Sequence, residues 1–424
     1  MRDCFKWKFV GDQEADAVAQ DVYDNDPEFG GARFFDLMRA FGPWVPQQPT
    51  EGLPPAIATY LRTDYKLPAW CDLAALRRAQ EAYQPNAEIG KIVLAASSLP
   101  VLYISPDIAA TLMGTGRLVL KVRNRLQETQ TFVEVAMAPG ALAGPGQSWQ
   151  WMRKIRMTHA ILRLMATLAR PGRGAALAFG EADPHDPEHP LSVLRSQLSL
   201  SAQPAVAMSQ LDLAYVLQTF AWVMVTSRNE LGFPMGSTER DDHIRAWSIV
   251  GHMIGIVDDL LPGSDLTAVA DRAENIFESV RSNFLTDAAA EAKSPRTCDD
   301  PLAERRLFEG GRILTEALLV VLVDVLRTCV PDRLRRWVLR FEWLDDALQS
   351  LPHTLVRGLV GRETARVLRV DRAPFLHWLI GRAALLFIDL RKWNERAGSQ
   401  AHEAGAGLGL EVSSPASSLP RGLF

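Results

Sequence analysis

WMRKIRMTHAILRLM, residues Trp151 to Met165, carries its aliphatic side chains at helical spacing. Residues three, four and seven apart share a helix face, so Met152, Ile155 and Leu162 fall on one side together with Arg156, His159 and Arg163. Working outward, Gly144, Pro145 and Gly146 form a turn, and Ser148 stands where an N-cap is needed for a helix over about 149–169. Pro171 and Gly172 stop it.

The same periodicity fills most of the chain, and no stretch sustains the alternation of a strand, which predicts an all-α fold. Residues 9–41 read as one helix with an exposed acidic first half and an apolar end at Phe34, Phe35 and Met38. Prolines at 43–49 and 54–55 separate it from short helices over about 55–86. A longer helix over 117–138 closes at Pro139 and Gly140. Residues 171–208, rich in Gly, Pro, Asp and Ser, read as a surface connection with one short helix near 190–200. Ser209 caps a helix over 210–231 that Gly232 ends, and Ser237 opens another to about 261, ended by Pro262 and Gly263. Ser264 caps the next, to about 288, and further helices are expected at 304–329, 332–350 and 374–395. Residues 1–395 are expected to form one helical body, with a sub-boundary best placed at the polar break 292–303. Residues 396–424, rich in Gly, Ser, Ala and Pro, read as a disordered tail.

Composition narrows the function classes. The 424 residues are 47% hydrophobic and carry a formal net charge of −4, with Lys and Arg scattered among Asp and Glu. A nucleic-acid partner is not expected, because such proteins show a basic face. Cys4, Cys71, Cys298 and Cys329 lie far apart, which argues against a disulfide framework or a structural zinc site and fits a reducing compartment. The N-terminal sequence has no apolar signal segment. The most apolar run, Ala317 to Val323, is bounded by Glu316, Asp324 and Arg327, well short of the ~20 residues that span a bilayer. No transmembrane segment and a cytoplasmic location are therefore expected. Nucleotide loops and hydrolase elbows of the GxGxxG, Walker and GxSxG types are absent.

The face around His159 admits two readings. A lone histidine with apolar neighbours is usually a satisfied core or surface residue, and flanking arginines are often a solvated edge. Buried guanidinium groups, however, demand partners. A haem would supply them, with imidazole to iron, aliphatic groups against the porphyrin, and arginines toward the propionates.

A second segment, LVLKVRNRLQETQTFVEVAM from Leu118 to Met137, extends the pattern. Arg125, Leu126, Thr129, Phe132 and Val133 are followed by Arg156, His159, Ala160 and Arg163 in the form Arg–x–x–His–Ala–x–x–Arg. This resembles the catalytic domain shared by latex-clearing proteins (rubber oxygenases) and the ER-bound mpaB-type oxygenases. MSQLDLAYVLQTF (Met208 to Phe220) is similar to a later motif of that family, with Ser209 where Asn is usual. IVGHMIGIVDDLLP (Ile249 to Pro262) and SLPHTLVRGLVGRETARVL (Ser350 to Leu368) match others in order, so the resemblance spans roughly 10–380.

The resemblance implies a globin-like helical core with additional helices around a haem pocket, a haem b, and oxidation or cleavage of C=C bonds in isoprenoid or lipid-like chains with dioxygen. By position, His159 is the iron ligand, Arg125 the structural arginine of the distal helix, and Thr129 a lining residue of the distal pocket. Arg156 and Arg163 are assigned to the cofactor. The family's distal lysine is Glu128 here, which differs in charge and in affinity for ferric iron, and which would serve as a general acid or base if buried. A glutamate on a helix equally often faces solvent. Asp107 is the nearest counterpart of the family's upstream catalytic glutamate. Without an export signal, a small hydrophobic substrate is expected rather than an extracellular polymer. The alternative is a non-catalytic helical protein that binds haem or lipid.

Other clusters are weaker. Glu239 and His243 are four apart, unlike the Glu–x–x–His pairs of di-iron bundles, so Glu239, Asp241 and Asp242 read as charges complementing a helix dipole. Asp258 and Asp259 read as helix-end residues, His185 and His189 as loop residues, and His252 as a core histidine. The eleven tryptophans form no stripe and read as core packing.

Overall fold

The computed structural model describes residues 4–37, 52–63, 67–105, 107–109, 122–144, 146–168, 206–263 and 268–292, with six isolated positions beyond. Among these residues every regular element is helical, which makes the fold all-α. The helices expected at 304–329 (apart from Thr315, Leu318 and Leu319, which are helical and buried), 332–350 and 374–395, the connection 171–205 with His185 and His189, the break 293–303 and the tail 396–424 lie outside the described residues.

The N-terminal region is three pieces rather than one helix: a 3-10 turn Cys4–Phe9, helix α1 (Gln13–Asn25) and a 3-10 turn Gly31–Asp36. Asp12 ends the first connection by capping α1, accepting from Ala15 N at 3.3 Å. Asp26 precedes Pro27, whose ring pushes it to the extended region, and its carboxylate takes the Glu28 and Phe29 amides instead. Helices α2 (Pro55–Arg62) and α3 (Leu73–Tyr83) follow, the latter capped by Asp72.

Residues 87–102, which sequence periodicity leaves unread, run as α4 (Ala87–Val93), a π-turn Leu94–Ser98 and α5 (Leu99–Leu102). All five π-turn residues are buried, so no polar face marks the segment. Its two serines fasten it to a later helix: Ser98 donates to Thr219 O at 2.7 Å, and Ser97 meets Ser227 at 2.8 Å.

Helices α6 (Val122–Ala136) and α7 (Gln147–Leu168) sit close to their expected ranges. Ser148 is not the cap of α7; its hydroxyl instead accepts from Leu142 N in the preceding turn. Helix α8 (Gln210–Glu230) has the expected start, a reciprocal box between Ser209 and Asp212, and stops at Gly232, where φ is +81°. Helix α9 (Ser237–Met253) ends eight residues early because Gly255 takes φ +88°. A 3-10 turn, Asp258–Leu260, and helix α10 (Val269–Ala292) follow.

Helix α7 lies between two cores. Met157, Ala160 and Ile161 pack on Ala15, Ala19 and Val22 of α1 and on Ile57, Tyr60 and Leu61 of α2. Trp149, Trp151, Met152 and Ile155 enter the larger core with α3, α6, α8 and α9. Burial on both sides extends to four of its cations, Arg153, Lys154, Arg156 and Arg163.

Candidate functional site

Four buried cations on one helix cannot stand alone, and three of them, Arg153, Arg156 and Arg163, find carboxylates on α1 and its cap. Arg156 makes a two-pronged pair with Asp12, Nε to Oδ2 at 2.5 Å and Nη2 to Oδ1 at 2.8 Å, and meets Glu14 at 2.9 Å. Arg163 donates from Nε to Asp16 Oδ1 at 2.8 Å and from Nη1 to Met208 O at 2.9 Å. Burial alone would lower the Arg156 pKa, but the hydrogen bond and charge of Asp12 hold it above its ordinary value. The acidic first half of the N-terminal region, expected to be exposed, is thus the counter-charge of α7.

The segment around α1 is sewn in by the motif at the start of α8. Gln210 donates to Gly11 O at 3.1 Å and Gly255 O at 2.8 Å, and accepts from Val257 N at 2.9 Å. Its own amide donates to Val10 O, and the Val206 amide to Lys8 O. Lys8 is buried against Asp107 at 2.6 Å and Asp212 at 2.7 Å. Burial pulls its pKa down, and those two carboxylates more than reverse this, so the ammonium is kept charged. Asp107, expected as the counterpart of a catalytic glutamate, is in this structure a counter-ion of Lys8.

His159 sits between the two clamped arginines, half-buried, with Nδ1 closed off from solvent. Arg163 keeps one buried nitrogen, Nη2, without an acceptor. Glu128 and Thr129 lie half-buried on α6; Arg125 is in the same helix, its side chain outside the described residues. One turn on, Phe132 fixes α6 to its neighbours, with ring centroids 6.3 Å from Trp151, 5.7 Å from Phe220 and 5.9 Å from Trp247. Phe220 and Trp247 stack at 4.9 Å. Trp151 is eight residues before His159, about 12 Å along the helix axis, so this aromatic cluster ties α6 to α7 about two turns away from the imidazole.

The rival clusters are occupied by other work. Glu239 pairs with Arg228 at 2.8 Å and Asp242 takes Arg78 with both oxygens at 2.7 Å, so these carboxylates bind side chains beyond any helix-dipole role. His243 is buried with Nε2 3.1 Å from Phe220 O. His252 is half-buried rather than in the core: its Nδ1 lies 2.8 Å from Asp258, and its ring meets Trp70 edge-on. Among the described residues no three of His, Cys, Asp or Glu gather as metal donors, and no helix is long and apolar enough to cross a membrane. A cleft lined by Tyr83, Met137, Met224, Met235, His243 and Trp247 encloses about 20 Å³, roughly the room of one water, and does not reach His159.

Burial pushes the His243 pKa down to about 4 from an ordinary 6.5. The unfolded chain therefore binds the proton first as pH falls, so this group stabilises the fold above pH 6.5 and that contribution is lost toward pH 4. The loss amounts to about 3 kcal/mol. Urea titrations at the two pH values should show that much more acid destabilisation in wild type than in His243→Gln.

Asp12, Asp16, Lys8 and Gln210 escaped the sequence reading. The one available signal was the unanswered demand of Arg156 and Arg163 for carboxylates, with Asp12 and Asp16 spaced one helical turn apart.

Comparison with known proteins agrees with this architecture. A family model described as "ER-bound oxygenase mpaB/B'/Rubber oxygenase, catalytic domain" matches residues 90–385, more than half of the chain. A solved structure, "Structure of Latex Clearing Protein LCP in the closed state", shares the fold with a TM-score of 0.58 over 91% of this chain and 84% of that one, at 17% identity. No curated protein sequence matches. With the family's catalytic-domain model running from α4 to beyond α10, the chain belongs to the mpaB/rubber oxygenase family.

Proposed function

We propose that this chain is a haem-b oxygenase in which His159 is the iron ligand and a small unsaturated isoprenoid or lipid-like molecule is oxidised or cleaved at a C=C bond with dioxygen. The observation that carries the reading is the state of the His159 face. A haem iron asks one donor of the protein, unlike a multi-ligand metal centre. His159 offers a half-buried imidazole with Nδ1 enclosed by the protein, and we assign its Nε2 to the iron. Arg163 Nη2, buried and without an acceptor, is a donor suited to a propionate oxygen. Arg156 is assigned otherwise: its charge is matched by Asp12 and Glu14, so its role is to hold α7.

Bound haem would supply the iron that activates dioxygen. The chain's own residues would then shape the reaction within a globin-like helical arrangement. Thr129 and Glu128, on α6, would line the side where dioxygen and substrate meet, and Glu128 is the group there able to hold or release a proton. Arg125 would brace that helix.

Absorbance of the freshly purified, haem-supplied protein tests the reading. A Soret band that moves on adding dithionite, followed by oxygen uptake with a short unsaturated isoprenoid, is the expected result. Absence of the band would remove the iron chemistry, and a band without oxygen uptake across such substrates would leave a haem carrier.

A further inference from the structure

We propose that Asp12 and Asp16 are positioning residues for His159: two ion pairs from α1 brace the imidazole from one turn before it and one turn after it. The inference rests on the reading of His159 as the iron ligand. The two carboxylates are one turn apart, Asp12 at the cap of α1 and Asp16 in its first turn, and their targets, Arg156 and Arg163, stand three residues before and four residues after His159. Between the pairs, α1 presents the small side chains of Ala15 and Ala19 in the same core as Ala160, so the ion pairs add directional restraint to non-directional apolar packing. The bridges fix the rotation of α7 at those two points. They are cross-linked, since the Asp12 amide donates to Asp16 Oδ2 at 2.9 Å.

Each bridge is also built against a glycine. A Cβ on Gly255 would strike the Asp12 carboxylate and the Arg156 guanidinium, and one on Gly11 would strike the Asp16 carboxylate and press on Arg163 at 3.4 Å. Gly255 is held in turn by Gln210. The precision at stake is large. Rolling α7 by about 20° would carry a nitrogen about 6 Å from the axis through about 2 Å. Metal–ligand distances tolerate only about 0.2 Å.

The test uses the full-length haem-loaded protein and compares wild type with Asp12→Asn, Asp16→Asn and Asp16→Glu. The readouts are the ferric absorption and electron-spin spectra and the rate of haem loss to an excess of a haem-scavenging globin. The Asn variants are expected to show an altered Soret maximum and spin state, with haem loss roughly tenfold to a hundredfold faster, the range for residues that orient a metal ligand. Asp16→Glu, which keeps the charge, is expected to recover most of the wild-type spectrum. Glu239→Gln, which breaks the Arg228 pair elsewhere, should leave the spectrum unchanged. Should Asp12→Asn fail to fold, the partly exposed Asp16 decides alone. Wild-type spectra and haem-loss rates in the Asn variants would overturn the inference while leaving His159 as ligand, as would an equal spectral change in Glu239→Gln. A wild-type protein that takes up no haem would instead overturn the functional reading, and this inference with it.

Discussion

His159→Ala is expected to purify without a Soret band while keeping wild-type helical content. The two halves of that result have separate causes. The imidazole is half-buried, and α7 is seated by two apolar cores, through Met157, Ala160 and Ile161 on one side and Trp149, Trp151, Met152 and Ile155 on the other. Alanine is also the best helix former, so the substitution adds no backbone cost. On the proposed assignment, the substitution would also remove the protein's donor to the iron. Changes in the groups that merely orient a metal ligand cost about 10–100-fold in affinity, so removal of the ligand itself should exceed about 100-fold. Haem-to-protein stoichiometry and far-ultraviolet circular dichroism measure the two halves. Full haem occupancy in the variant would show that the iron is held elsewhere.

Arg156→Met should lower stability by about 3–5 kcal/mol, the loss that follows when one member of a buried ion pair is removed and the other charge stays behind. Asp12 is only 4% exposed and would keep its carboxylate in the interior with two hydrogen bonds withdrawn. Such a loss is a large share of the roughly 5–15 kcal/mol of a typical domain. Urea unfolding monitored by tryptophan fluorescence reads it as a lower midpoint at unchanged slope. Adding Asp12→Leu should recover most of the deficit, because an apolar pair of similar volume replaces the ion pair. The recovery should fall short by about 1 kcal/mol, since Asp12 also caps α1. If the single variant unfolds like wild type, the bridge contributes nothing to the fold.

Local signals in the sequence carried the parts of the fold that local physics controls. Ser209, Asp212 and Gly232 bound α8 because a capping box and a left-handed glycine are decided within one turn of the chain. Helix α7 was legible from its spacing alone. Where the reading ran long, at 9–41 and 237–261, the stop came from one residue: Asp26 ahead of Pro27, and Gly255. Residues 87–102 stayed unread because their centre, the π-turn 94–98, is buried all round and shows no periodic polar face. The site divides in the same way. His159, Arg156 and Arg163 were visible as an improbable face, whereas their partners were not, since Asp12 and Arg156 are 144 positions apart and nothing local announces the pairing. Glu239, Asp242 and His252 were read from neighbours in sequence and are explained by partners in space: Arg228, Arg78 and, across the α9 end, Asp258 with Trp70.

The family's matched region opens at residue 90, inside α4, yet α7 takes one whole flank from residues before it. A fragment trimmed to that similarity would strip Ala15, Ala19, Val22, Ile57 and Leu61 from the helix bearing His159, and would strand Arg156, Arg163, Asp107 and Asp212 without Asp12, Asp16 and Lys8. The unit recognised by kinship is therefore smaller than the unit packed around α7. For this chain, helices α1 and α2 form one wall of the body that holds α7.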